Sequence, residues 1–313
     1  MTLSNIVEFV AVDASMQGFI WAILALGVFI AYKVLNVADM SVDSLFPFAG
    51  IISLTFINLG MDPLVSIILS IMAGMLVGLI NAALHLYLHI HPLLAGIVIM
   101  VALYTPNVIL APGVLSVAKD KNTIFTIVNG LINNLDVTKI LLLLIFVAIF
   151  FALVYWFFGT QIGLSLRASG KNKEMSMANG VNTNNRYILG MMISSALVAL
   201  SGALYAQMNK YTSPDTGRGA IIVGLTIIFL GEVILSDKKF WLSLVSIVLG
   251  GLIYWVIIDL ILSIPSFNTN FLKLMQGAMI VIVVIIGQVK KKFSDMKLKK
   301  KFKSDTEKGE VTV

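Results

Sequence analysis

The 313 residues are 58% hydrophobic and only 12% charged, a composition far outside the soluble range that marks an integral membrane protein. No cysteine is present, which excludes disulfides, thiolate catalysis and cysteine-ligated metals. The net charge of +6 comes from a lysine-rich run, Lys290 to Lys303, so it points to anionic lipid headgroups and no nucleic acid is expected to bind.

The first twelve residues carry no Lys or Arg and contain Glu8, so no removable signal is expected. Residues 1–15 read as a weakly amphipathic segment at the outer interface. Apolar runs of spanning length then predict about nine transmembrane helices, within a range of eight to ten, near 16–34, 45–59, 63–88, 93–111, 140–158, 187–209, 219–236, 239–262 and 270–289. The fold class is therefore all-α and polytopic, with a transmembrane domain over 16–289 and a basic tail over 290–313.

Between the first two spans, Asn36, Asp39, Ser41, Asp43 and Ser44 interrupt the hydrophobicity before Phe46, Pro47 and Phe48 restart it. A plain loop and a broken helix both fit, the latter only where protein or a cavity covers the backbone. In the third span Gly74 and Gly78 form a small-xxx-small pair that lets a neighbouring helix approach closely, and Asn81 is expected to face protein. His85 and His89 have the i, i+4 spacing of a metal pair, but no Glu or third ligand completes a shell, so they read as interfacial histidines on a short turn with His91. Residues 111–139 form the longest outer connection, expected to fold on the outer face.

The long polar interruption, residues 159–186, carries Arg167, Lys171, Lys173 and Glu174. It is too polar for lipid and too short for a domain, and predicts a surface loop with one or two short helices. Met175, Met177 and Ala178 would offer apolar contacts to something outside the lipid. Further on, Glu232 and Asp259 are carboxylates near the ends of late spans, where both can reach water or a partner. With the C-terminus inside, 16 of the 22 basic residues fall on the inner side. Nine of these are in the tail, so orientation rests on the tail and on the 159–186 loop.

No phosphate-cradling G-x-x-x-x-G-K-[ST], nucleophile elbow or metal-ligand set occurs. The chain is therefore not expected to be an enzyme or to hold a cofactor of its own, and it moves a solute by conformational change driven elsewhere. Two energy sources remain open, ATP on a separate subunit or an ion gradient.

Gly163, Leu166, Arg167, Ala168, Gly170, Asn172, Met175, Gly180, Val181 and Asn182, followed by Ala196, Leu197, Leu200, Ser201, Gly202, Ala203 and Leu204, resemble the coupling region of the branched-chain amino-acid-type ABC permeases. The segment from Gln17 to Gly50, the HIHPLLAGI run from His89 to Ile97 and the glycines Gly217, Gly219, Gly224 and Gly231 between Gln207 and Glu232 are similar to the same family. The subgroup is the one that works with tryptophan-type binding proteins. His91 stands where Asn is usual, and Arg218 where an apolar residue is usual. The resemblance implies a type II-like ABC importer permease in the bacterial plasma membrane, with a cytoplasmic C-terminus. Its implied partners are a second copy of itself, membrane lipids, an ATP-binding cassette subunit that carries ATP and Mg, and a substrate-binding lipoprotein. It also implies coupling through Arg167, Ala168, Gly170, Asn172, Met175, Gly180 and Asn182, with Arg167 bonding the ATPase, both glycines setting turns and Met175 as a compliant apolar contact. Phe46, Phe48, Asn81 and Asn107 are the candidates for the pathway. The implied solute is an aromatic amino acid such as tryptophan, with a nucleoside, sugar or vitamin, or an ion-coupled carrier, as alternatives.

Overall fold

The first span contains no proline and no glycine pair, and its apolar run supports a helix of unusual length. The computed structural model, which describes residues 3–132, 134–235, 240–264 and 271–289, shows helix α1 over Leu3–Phe29, prolonged by a π-helical turn over Ile30–Val34. The segment expected to lie at the outer interface is thus joined to the first span without a break. After α1 come α2 (Val42–Asn58), α3 (Pro63–Leu88), α4 (Pro92–Leu110), β1 (Leu115–Ser116), α5 (Ile124–Ile132) and α6 (Leu135–Gly159). Then follow α7 (Gln161–Lys171), α8 (Lys173–Ala178), α9 (Thr183–Asn209), β2 (Tyr211–Thr212), α10 (Ala220–Ile234) and α11 (Phe240–Leu262). The last described helix, α12, covers Leu272–Val289.

Among the described residues, seven helices are long and apolar enough to cross a membrane, and α2 and α10 are shorter apolar helices. Together they match the nine expected spans. The basic run from Lys290 onward lies outside the described residues.

The centre of the bundle is α9, which packs on α1, α2 and α3. Small residues let it do so. A Cβ on Gly74 would lie 2.4 Å from the Ala199 Cβ, and one on Gly78 would lie 2.6 Å from the Met191 carbonyl oxygen. Without a hydrophobic drive between helices in lipid, such close backbone packing supplies the association energy. Hydroxyls add to it: Ser194 Oγ donates to the Gly27 carbonyl and Ser201 Oγ to that of Ile20, each at 2.8 Å. By contrast α4, α6 and α12 are mostly uncovered, with apolar side chains facing outward.

The short helices are explained by what precedes them. At 1.5 Å per residue α2 spans about 26 Å and α10 about 23 Å, less than the roughly 30 Å hydrocarbon core. Residues 35–41 lead into α2 as a non-helical connection, so the expected polar break is real. Protein covers it, as the bilayer requires. Asp39 is buried, and its Oδ1 accepts from Ser41 N and Asn81 Nδ2, both at 2.9 Å. Asp43, in the first turn of α2, accepts from Gly219 N at 3.0 Å and Ile221 N at 2.9 Å. It thereby satisfies two of the unpaired donors at the start of α10 with a negative charge at the positive end of the helix dipole. Gly217 is obligatory in this arrangement, because a Cβ there would lie 2.1 Å from the Asp43 carbonyl.

At the opposite end, the outer connection does fold. Its strand β1 pairs with β2 antiparallel, Leu115 opposite Thr212, and Asn58 ties to it through Ser116 and Ala118. Gln207, fully buried, anchors α5 here: its Oε1 accepts from Ile124 N at 3.1 Å, and its Nε2 lies 2.9 Å from Ser53 Oγ, 3.0 Å from Ser66 Oγ and 3.1 Å from the Pro63 carbonyl. Gln207→Leu leaves the Ile124 N–H without its partner. The expected cost is about 1–3 kcal/mol, read as a lower melting temperature of the detergent-solubilised protein and faster amide exchange in α5. An unchanged melting temperature would show that α5 is held by other contacts.

Candidate functional site

The 159–186 loop becomes two short helices through side-chain caps placed by the sequence. Thr160 Oγ1 accepts from Gly163 N and starts α7. Asn172 Oδ1 accepts from Met175 N at 3.0 Å and starts α8, and Asn182 Oδ1 accepts from Asn185 N at 3.1 Å and starts α9. These are N-cap positions where a short side-chain acceptor replaces the missing helical carbonyl. Gly180, at φ +77°, makes the left-handed turn between α8 and α9.

The two glycines expected to set turns therefore differ. Gly180 does so. Gly170 instead lies inside α7, where a Cβ would fall 1.8 Å from the Val34 carbonyl oxygen. It lets α7 seat directly on the π-helical end of α1. Gly163 does the same against Phe157 and Phe158, and Leu166 is fully buried beneath.

What α7 and α8 turn outward is mixed. Met175 is 62% exposed and Met177 50% exposed, with Ala168, Lys171, Lys173 and Glu174 around them. The two bare methionines sit on different sides of this one-and-a-half-turn helix, each an exposed and adaptable apolar contact. Met177, one of the apolar contacts expected from the sequence, is not in the coupling set that the resemblance implies. Both methionines are uncovered as the sequence suggested, on a helix capped by Asn172 and ended by the Gly180 turn. Arg167 is half-buried, its guanidinium 4.5 Å from the Phe240 ring centroid.

The four pathway candidates are not brought to one cavity. Phe46 is buried between Trp21 (5.2 Å) and Tyr205 (5.4 Å). Asn81 holds Asp39, and Asn107 Nδ2 donates to the Ser44 carbonyl at 3.0 Å. Phe48 is half-buried on α2. Three of them thus fix the 39–46 segment, with Asp43 as a fourth tie that the polar run announced without revealing its partner. As expected, Asn81 faces protein.

Of the late carboxylates, Glu232 is paired with Lys33 at 2.6 Å, which the separation of the two in sequence concealed. Asp259, expected to reach water or a partner, is only 2% exposed, on the helix α11 that lies along α1. Among the described residues its Oδ2 has no hydrogen-bond partner. His85 closes the turn to α4 through a 2.8 Å contact of Nδ1 with the Ile90 carbonyl and packs on Tyr187. No group of three possible metal ligands exists among the described residues.

Comparison with known proteins decides what this architecture is. Residues 10–284 match the branched-chain amino acid transport system / permease component family. The chain belongs to this family. As a permease component it is a membrane-embedded, multi-span transport subunit of an ABC importer and not itself an enzyme. The permease is 31% identical to the tyrosine transport system permease protein of Clostridioides difficile over 89% of this chain and 91% of that one. It is 29% identical to an uncharacterized protein of Rickettsia prowazekii, over 90% and 98% of the two chains. With the fructose import permease protein of Bifidobacterium longum it shares 24% over 81% and 70%. No solved structure matches the permease.

Proposed function

We propose that this permease imports an aromatic amino acid, and that ATP hydrolysed on a separate cassette subunit drives it through the α7–α8 surface. The observation that carries the substrate is the likeness to a tyrosine permease along nearly the whole length of both chains. The more distant likeness to a fructose permease fits a scaffold that is reused, with selectivity residing largely in a separate binding lipoprotein. What supports the coupling role is geometry: a capped pair of short helices, seated on the end of α1 by Gly170, that exposes Met175 and Met177. In this reading Ala168, Met175 and Met177 meet the ATPase, Asn172, Gly180 and Asn182 hold their shape, and a second copy completes the pathway. Phe46, Phe48, Asn81 and Asn107 belong to the pathway through the 39–48 segment that they build and brace. In this reading the α7–α8 end and the C-terminus face the cytoplasm, across a bacterial plasma membrane, as the distribution of basic residues supports.

The test is uptake into proteoliposomes holding this chain with its cassette subunit, supplied with the cognate binding lipoprotein. Labelled tyrosine or tryptophan should accumulate only with ATP on the cassette side, and unlabelled aromatic amino acids should compete while fructose does not. Competition by fructose alone would transfer the permease to sugars. Uptake under an ion gradient without ATP would instead favour an ion-coupled carrier, for which the buried Asp259 is the first residue to substitute.

A further inference from the structure

We propose that the groove between the ends of α6, α7 and α11 binds the phosphate of an anionic phospholipid, with Arg167 as its ligand. The groove has a volume of about 450 Å³ and is lined by Tyr155, Trp156, Phe158, Leu164, Arg167 and Phe240. One face of the guanidinium rests on the Phe240 ring at 4.5 Å, which spends no N–H group and leaves the donor edge free to turn toward the groove. No carboxylate among the described residues lies within ion-pair distance of it. A half-buried cation at the edge of a membrane domain, with no counter-charge paired to it among the described residues, suits an external anion, and the planar fork of Arg suits two phosphate oxygens at once.

The surroundings say that this anion is attached to a lipid. Trp156 is 70% exposed and Tyr155 54% exposed, in the last turns of α6, the headgroup level at which such rings collect. Above them the same helix exposes Leu141, Leu144, Ile145, Ile149 and Leu153, a continuous apolar strip along which an acyl chain can lie. The groove is therefore a lipid-facing site with one fixed positive charge at headgroup depth. This inference needs only the membrane embedding of the chain; it gives Arg167 to lipid in place of the ATPase contact that the resemblance implies, and leaves the exposed α8 methionines to the coupling reading.

The full-length chain is reconstituted in phosphatidylcholine vesicles containing either brominated phosphatidylglycerol or brominated phosphatidylcholine, and quenching of tryptophan fluorescence is measured. The Trp156 contribution is the difference between the wild type and Trp156→Phe. Phosphatidylglycerol is expected to be preferred at Trp156 by about fivefold, the preference falling to near unity in Arg167→Gln and to an intermediate value in Arg167→Lys, which keeps the charge but not the fork. Equal quenching by the two lipids in the wild type overturns the proposal without any variant. A preference that survives Arg167→Gln also overturns it and assigns the lipid selectivity to another basic group of the chain. If Arg167→Gln does not fold, the wild-type comparison and Arg167→Lys still decide.

Discussion

Gly78→Leu is expected to prevent assembly of the permease core. The new side chain would have to occupy space already filled by the Met191 carbonyl and the Ser195 side chain, whose atoms lie 2.6–2.9 Å from a Cβ at this position. Backbone cannot move aside as a flexible side chain can, so α3 must separate from α9 and forfeit the packing that holds both. The cost is expected to exceed about 3 kcal/mol, the upper end of ordinary overpacking, because helix association in lipid has no hydrophobic drive to compensate. Size-exclusion profiles of the detergent extract should show aggregate in place of a monodisperse peak. Leu76→Ile, on the exposed face of the same helix, should leave the profile unchanged. A monodisperse Gly78→Leu protein with the parental melting temperature would mean that α3 and α9 are not packed as described.

The second large effect concerns function and not folding. Met175→Asp combined with Met177→Asp puts two charges on the exposed surface of α8. The permease should extract and melt as the parent does. Apolar anchors of this kind are commonly worth about 2 kcal/mol each at an interface, roughly thirtyfold in affinity, so co-purification of the cassette subunit should be lost and ATP-driven uptake should fall at least tenfold. Parental uptake by this variant would remove α8 from the coupling surface and turn attention to Ala168 and the remainder of α7.

The two experiments separate what each level of organisation contributes. Hydrophobic runs set by the thickness of the bilayer made the nine apolar helices legible from residue order alone, since every backbone group in lipid must be satisfied within its own segment. The caps were equally local: Thr160, Asn172 and Asn182 act within three residues of themselves, and Gly180 needs only its own φ. The small-xxx-small spacing of Gly74 and Gly78 announced a close helix neighbour, but not which one.

Contacts between distant segments were decided by the tertiary structure. Asp43 could be seen as a polar residue in an apolar region, but its partners Gly219 and Ile221 lie some 176 and 178 positions away. Glu232 reads in sequence as a carboxylate near a span end, and only the packing of α10 on α1 brings Lys33 to it. The place of Asp259 near a helix end is a one-dimensional fact that allows water or a partner, whereas its burial depends on which helix covers it. Gly170 shows the limit most clearly. A glycine beside a polar turn suggests a turn residue, and only the position of the Val34 carbonyl shows that its missing side chain is what lets α7 dock on α1. Local order is governed by dihedral preference and by the bilayer, both acting along the chain. The pairing of side chains across helices depends on their relative rotation and depth, which no periodicity within a single helix encodes.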